Sequence, residues 1–347
     1  MSGSRHHFIP RFLQKVFASR ISGDEFYCWS FSKTTSAFQS NIKNIGIENL
    51  FYSEASETDL DDKITDREMK IYSPLIDRLR LNLINTSDIV HICEMLAHFE
   101  VRSRHMRINS KNLMAEATNK IIEILSDKET VTNIVSKLVT VDSDLFQAAL
   151  KERGVTESML NELIKLNPNV LEQCRHNIVH TMCNAMTAHR ATIPKLIAEL
   201  AKNSHLKTLN SSIAPEKRVQ RFSELYFSVK KYPPQNLPLG DSIVIFNVEG
   251  ERPYKAFLDK KDKLLSVILP LSPSLYLEGS SRNTNTSHAN LGLEIARCSI
   301  EYFISNKNDP TAQSHKKEIG INSHWLTSNE ITEAIYTSFN EVIKQNF

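Results

Sequence analysis

The chain has no window approaching the ~18 consecutive apolar residues that a membrane span needs, and its first residues contain no apolar secretion-signal core. Cysteine is sparse and unpaired in pattern: Cys28, Cys93, Cys174, Cys183 and Cys298 are odd in number, far apart and without a CxxC. That spacing excludes a zinc ribbon and argues for reduced thiols, so a cytoplasmic protein with no membrane partner is expected. Excess charge is also missing. Forty-two Lys plus Arg stand against 40 Asp plus Glu, a formal +2, so no bulk charge drives the molecule onto nucleic acid or an anionic membrane. Any basic site must be local. The chain has no Walker loop, GxGxxG, GxSxG or HExxH, which sets aside the common NTPases, dinucleotide enzymes, serine hydrolases and zincins.

What is present falls into three stretches that can form one compact unit of α+β class, since 347 residues can bury a full core. Residues 1–55 carry short apolar runs, with the strand-like Phe26-Tyr27-Cys28-Trp29 after a Ser22-Gly23-Asp24 turn, and predict a small mixed lobe. Residues 56–205 read as helical. Leu60, Ile64, Ile71, Leu75 and Leu79 recur at helical spacing with a kink or break expected at Pro74, and a long helix starts near Ser87 or Asp88. A further helix from about Asn169 is interrupted near Pro194. Residues 206–347 change period: "FSELYFSV", "DSIVIFNVE", "YKAFLDKKDKLLSVILPL" and "SLYLEG" predict an antiparallel sheet. A polar, mobile loop is expected over 279–292, then helices over about 290–305 and 328–345.

The segment "SRHHFIPRFLQKVF" is no purification tag, because two histidines run directly into an ordered pattern. Pro10 suits the first position of a short helix whose apolar face is Phe12, Leu13, Val16 and Phe17. Arg5, His6, His7 and Arg11 then converge where an anion such as phosphate is held, although a histidine can equally plug the aromatic lobe.

Two further constellations carry candidate chemistry. In "HICEMLAHFEVRSRHMRI", His91, His98 and His105 lie seven residues apart on a predicted solvent stripe, about 10 Å from one to the next and too far to share a metal. Glu100, Arg104 and Arg107 share the apolar sector; Glu100 can pair with Arg104 at i,i+4, leaving Arg107 for a partner or an anionic ligand. Near the sheet, Asp241 with Ser242 stands at a strand edge, and a neighbouring strand can set Ser272 beside it, unless both serve turn chemistry. In "CRHNIVHTMC", His176 and His180 fall on a solvated face, while His189 lies on the apolar stripe.

Taken in order, "RHHFIPRFLQKVFA", "FYCWSFSK", "NIGIENLFYS", "FEVRSRHMR" and the Pro-Leu-Ser-Pro turn resemble a widespread, largely uncharacterised bacterial family of domains of unknown function. The sequence has Gly240-Asp241-Ser242 where that family's Ser-Asp is expected, and lacks the following proline. The resemblance implies an α+β fold and no established reaction. The residues themselves support an expectation: a phosphodiesterase or nuclease acting on nucleic acid or nucleotides, suited to a bacterial defence or toxin-like role. In it His6 or His7 is acid or base, Asp241 orients it or binds an ion, and Arg102, Arg104 or Arg107 holds phosphate. The alternative is a non-catalytic module that senses a nucleotide or nucleic acid through the same cations. No structural zinc is expected; any ion is weakly bound and oxygen-liganded, like magnesium.

Overall fold

The computed structural model describes residues 5–49, 51, 59–190, 192–281, 288 and 290–345. The chain divides into two compact units, Met1–Asn109 with Lys202–Trp325, and Ser110–Ala201 with Leu326–Phe347. Thus the first unit draws on all three of the sequence stretches, and the second on 56–205 and 206–347.

In the first unit, β1 (Arg5–His7) pairs antiparallel with β5 (Ile47–Asn49). A second sheet joins β2 (Arg20–Ser22), β3 (Glu25–Ser32), β4 (Phe38–Asn41), β7 (Leu239–Gly240) and β12 (Tyr302–Ser305), with β3 central. The third sheet, ordered β6-β11-β10-β8-β9, is the predicted C-terminal one: β6 (Tyr226–Lys231), β8 (Ile245–Val248), β9 (Tyr254–Lys255), β10 (Leu264–Ser272) and β11 (Leu275–Ser280). β10 is buried on both faces, which explains its unbroken apolar run. Its Pro270 lies beyond Ile268, where pairing with β8 ends, so the missing N–H costs no ladder bond on that side.

The N-terminal motif builds the core directly. Pro10 is the N-cap of α1 (Arg11–Gln14), one residue earlier than predicted, and its carbonyl accepts from the Leu13 and Gln14 N–H groups. Phe8, Ile9, Leu13 and Phe17 are buried in the main core with Phe51. Buried Gln14 donates to the Ile9 carbonyl at 2.7 Å and the Ile45 carbonyl at 3.2 Å, tying the motif to the turn before β5. Gly46 in that turn has φ +66°, and a Cβ there would stand 2.8 Å from Ile9 Cβ.

The predicted helix through Pro74 is α2 (Asp59–Arg67) and α3 (Ser73–Arg80) joined by a π turn, Glu68–Tyr72. Proline removes one helical donor and crowds the carbonyl four residues back, and the wide turn ahead of it is where the ladder yields. Next, α4 (Asp88–Arg102) begins where expected, although Asp88 anchors it by accepting from Asn85 N–H at 3.0 Å and pairing with Arg78. Ser103 is extended (ψ 145°), and α5 (Arg104–Ser126) starts on a new axis.

This break corrects the histidine stripe. His91 is half-exposed, but His98 and His105 are buried. α4 is packed on nearly every side in its last two turns, and His105 belongs to the next helix, so heptad spacing does not define a solvent face. His98 Nδ1–H donates to the Ile213 carbonyl at 3.0 Å, and His205 Nε2–H to Val101 at 2.8 Å.

The second unit is helical and comprises α6 (Lys128–Leu138), α7 (Asp144–Glu152), α8 (Glu157–Leu166), α9 (Val170–His189) and α14 (Ser328–Gln345), with parts of α5 and α10 (Ile193–Ser211). Side chains of Asp127, Ser143 and Thr156 cap α6, α7 and α8, and Val131, Val135, Val139 and Val179 form the core. His176 and His180 are exposed. His189, expected on the apolar stripe, is exposed as well because α9 ends there.

Two C-terminal expectations change. The helix expected over 290–305 is α12 (Leu291–Cys298) followed by β12, and α13 (Pro310–Lys317) lies between it and α14. Of the loop expected to be mobile, residues 282–287 and 289 lie outside the described residues. His288 is buried, accepting or donating at Tyr254 Oη (2.7 Å) and paired with Glu278 Oε1 at 2.6 Å.

Burial lowers His98, His105, His205 and His7 from their ordinary 6.5 to about 4. Burial raises Glu100 and Asp241 to about 7. Between about pH 4.5 and 6.5 the unfolded chain binds imidazole protons that the folded chain refuses, while the folded chain retains carboxyl protons that the unfolded chain loses. Four imidazoles outweigh two carboxyls. Stability is therefore expected to rise with pH across this window, read as a denaturant midpoint that is lower near pH 5 than near pH 6.5.

Candidate functional site

A cavity of about 440 Å³ opens between β1, α1 and the α2–π–α3 segment, and Arg5, His6, His7, Arg11 and Arg102 line it. Here the N-terminal cations meet one arginine of α4. Asp61, Thr65, Glu68 and Ser73 complete its polar wall. These four were not singled out from the sequence; the available signals were the acidic start of a helix at Asp59, Asp61 and Asp62 and the disturbance ahead of Pro74.

Each position has a local cause. Pairing of Arg5, His6 and His7 with Asn49, Glu48 and Ile47 fixes the strand edge in the wall. His6 is buried, with Nε2 4.0 Å from Asp61 Oδ2. Burial raises the Asp61 pKa, while the nearby His6 charge pulls it down. Arg102, 2 % exposed, pairs with Glu68 and donates to the His7 carbonyl; its Nη1 also lies 3.4 Å from His98 Nε2. Glu68 sits at the first position of the π turn, so the irregular helix delivers the counter-charge.

The remaining two arginines keep their charge. Arg5 donates to neutral acceptors, Asn44 Oδ1 at 3.0 Å and the Lys43 carbonyl at 3.5 Å. Arg11 is exposed at the rim and in no ion pair among the described residues. His7 is driven down to about 4 by burial first and then by Arg11, with Arg102 and Arg5 adding to it. At neutral pH its imidazole is uncharged, inside a cationic field. A bound anion would offset that field and make His7 more basic. Chemically the cavity offers a neutral base, a second imidazole facing a carboxylate, and two guanidinium groups that form no ion pair among the described residues. Its oxygen donors for a cation are Asp61 and Glu68; among the described residues no group of three or more His, Cys, Asp or Glu is placed to hold a metal.

The other candidates lie elsewhere. Asp241 does not line the cavity. Its Oδ1 accepts Ile300 N–H at 2.8 Å, and its Oδ2 accepts Glu301 N–H at 2.8 Å and Tyr302 N–H at 3.2 Å. It thereby ends the chain's run out of α12 and starts β12. Gly240 precedes it because a Cβ there would meet Ser299 Oγ at 2.5 Å. Ser242 is buried in this turn, whereas Ser272 Oγ accepts Ser274 N–H at 3.2 Å at the β10–β11 corner. Neither is set beside the histidines. Arg104 and Arg107 also leave the cavity: both clasp Glu48, at 3.2 and 2.8 Å, and Arg104 also pairs with Glu301. The Arg107 guanidinium lies 4.0 Å over the Phe51 ring. Nor does Glu100 pair with Arg104; buried, it binds Arg218 Nε at 3.0 Å and Leu258 N–H at 3.3 Å, because the break at Ser103 turns Arg104 away.

Two substitutions separate scaffold from site. Asp241→Asn is expected to lower stability by about 2 kcal/mol, since one oxygen that accepts backbone N–H groups is lost. Arg102→Leu should cost about 3–5 kcal/mol by leaving Glu68 without its buried partner. Urea unfolding of each variant measures both.

Among known proteins, the sequence pattern of the family described as "Protein of unknown function (DUF4238)" matches residues 5–343, from the first residue of β1 to the last turns of α14. No curated protein and no solved structure matches the chain. No helix among the described residues is long and apolar enough to cross a membrane. With nearly its whole length matched, the chain belongs to the DUF4238 family.

Proposed function

We propose that the protein is a phosphodiesterase acting on nucleic acid or nucleotides at the cavity of His6 and His7. The observation that carries this reading is two adjacent histidines in one wall with two arginines, Arg5 and Arg11, that form no ion pair among the described residues. Such a cavity is unfavourable to a cation and suited to a phosphate.

In this reading the phosphate is held by Arg5 and Arg11, with Arg102 fixing the strand from behind. His7 takes the proton of the attacking hydroxyl or water, and the charge of the bound phosphate supports it as a base by offsetting Arg11 and Arg102. His6, facing Asp61, returns a proton to the leaving oxygen. The arginines stabilise the extra negative charge that the phosphoryl oxygens gain at the transition state. Asp241 and the Arg104–Glu48–Arg107 cluster have no part in this chemistry. A nuclease of this kind would act as a toxin-like effector in a bacterial cell.

His7→Gln keeps polarity and much of the volume, so thermal stability should hold while hydrolysis of single-stranded RNA or DNA falls by about 10²-fold or more. Expression of the wild type should arrest growth, and His7→Gln should relieve the arrest. Wild-type protein that turns over no nucleic acid or nucleotide, yet binds a nucleotide in a manner lost in Arg11→Ala, would replace this reading with the sensing module.

A further inference from the structure

Another opening in the first unit, of about 780 Å³, is lined by Lys217, Arg218, Arg221, Phe257, Asp259 and Lys260. Four of these side chains are cations. α11 (Glu216–Ser223) supplies three of them, and the β9–β10 connection supplies Lys260. What distinguishes this cluster from a solvated basic surface is how its guanidinium groups are held. Arg221 donates Nη1 to the Asp259 carbonyl at 2.8 Å and Nη2 to the Asp262 carbonyl. Arg218 donates to the Leu258 carbonyl, and its guanidinium lies 5.1 Å over the Phe257 ring, which itself stacks on Trp325 at 4.5 Å. Carbonyls and rings fix orientation without cancelling charge.

Of the acidic groups nearby, Asp262 and Glu100 hold cations, and Asp259, which lines the opening, keeps its charge beside Arg221. Asp262 pairs with Lys255 at 2.5 Å and accepts Asp259 N–H at 2.8 Å, and Asp259 Oδ1 accepts Lys261 N–H at 3.0 Å. Glu100 is the one carboxylate on Arg218. Arg218 and Arg221 repel each other enough that, after burial, Arg218 is the main cause lowering Arg221. Lys217 and Lys260 are exposed at the rim. With Arg218 held by Glu100, Arg221 and the exposed Lys217 and Lys260 are three cations along one opening, more than a single phosphate needs, and a fixed fork flanked by two exposed ammonium groups suits successive phosphates.

We infer that this groove is a second binding site, for a ligand carrying phosphates in series: the diphosphate part of a nucleotide or the backbone of a single-stranded nucleic acid. It is lined by different residues from the histidine cavity and stands whether or not that cavity hydrolyses anything.

The test is equilibrium binding of pyrophosphate, a nucleoside triphosphate and a single-stranded oligonucleotide to the full chain. It compares wild type with the double variant Lys217→Glu/Lys260→Glu, whose exposed positions leave the fold intact by circular dichroism. Binding of at least one probe by the wild type, weakened about tenfold or more in the double variant and strongly salt-dependent, is the expected result. Pyrophosphate and triphosphate binding together identify a nucleotide diphosphate as the ligand; oligonucleotide binding alone identifies a strand backbone. The comparison is repeated in an Arg11→Ala background, which removes the phosphate hold of the histidine cavity, and the same weakening by the double reversal is expected there. No binding of any probe in the Arg11→Ala background, or binding there that is indifferent to the double reversal, would overturn the inference.

Discussion

A buried guanidinium organises the first unit. Arg102 is almost fully enclosed, and a cation there costs several kcal/mol unless every donor finds an acceptor. Two of its acceptors come from remote parts of the chain, the Glu68 carboxylate in the π turn and the His7 carbonyl in β1, and the third is His98 Nε2 one turn back in α4. These demands are interlocked. Because His98 Nδ1–H already donates to Ile213, Nε2 can accept from Arg102 only while the imidazole is neutral, which fits its pKa near 4. The wall of the histidine cavity is thus set by the solvation needs of one charge behind it.

The counter-ion of each arginine sorts the arginines better than their position in sequence does. Arg104 and Arg107 share Glu48, and Arg102 holds Glu68, so their charge is spent on joining elements. Arg5 and Arg221 instead donate to carbonyl or amide oxygens, which position a guanidinium and leave its field intact. An arginine of the second kind at the edge of a cavity is prepared for an anion; one of the first kind has already found it.

Sequence patterns revealed the fold class, the main strands of the third sheet and the starts of α4 and α9, because these rest on local period. The motif around Phe8, Ile9 and Pro10 was legible as a turn into a short helix, and its convergence of Arg5, His6, His7 and Arg11 is seen in one cavity. Long-range pairing was not legible. Nothing local distinguishes Asp241 poised for chemistry from Asp241 receiving three backbone N–H groups sixty residues away, nor shows that Glu48 would claim two arginines. The histidine stripe misled for a different reason: a helical wheel assumes one continuous axis with a wet side. α4 has little wet side in its last two turns, and its axis ends at Ser103. Pro74 announced a disturbance, but not that the resulting π turn would carry Glu68 to Arg102.

That end of α4 also explains why two charges of opposite sign are buried two residues apart. At about 100° per residue, Glu100 and Arg102 leave the helix on nearly opposite sides. Glu100 faces Arg218 and the Leu258 N–H, and Arg102 faces Glu68 and β1. Neither can serve the other, so each requires its own partner from outside the helix, and the two partners fix α11 and the π turn against the same turn of α4. Ser103 closes this arrangement: its hydroxyl donates to the Glu100 carbonyl at 2.9 Å, satisfying an acceptor that the broken helix would leave open. Were the helix to run on through Ser103 without a break, Arg104 would fall one turn below Glu100 and compete with Arg218 for it. The break assigns Arg104 to Glu48 and keeps Glu100 for Arg218, so a single extended residue decides which cations are neutralised inside the fold and which remain at its openings.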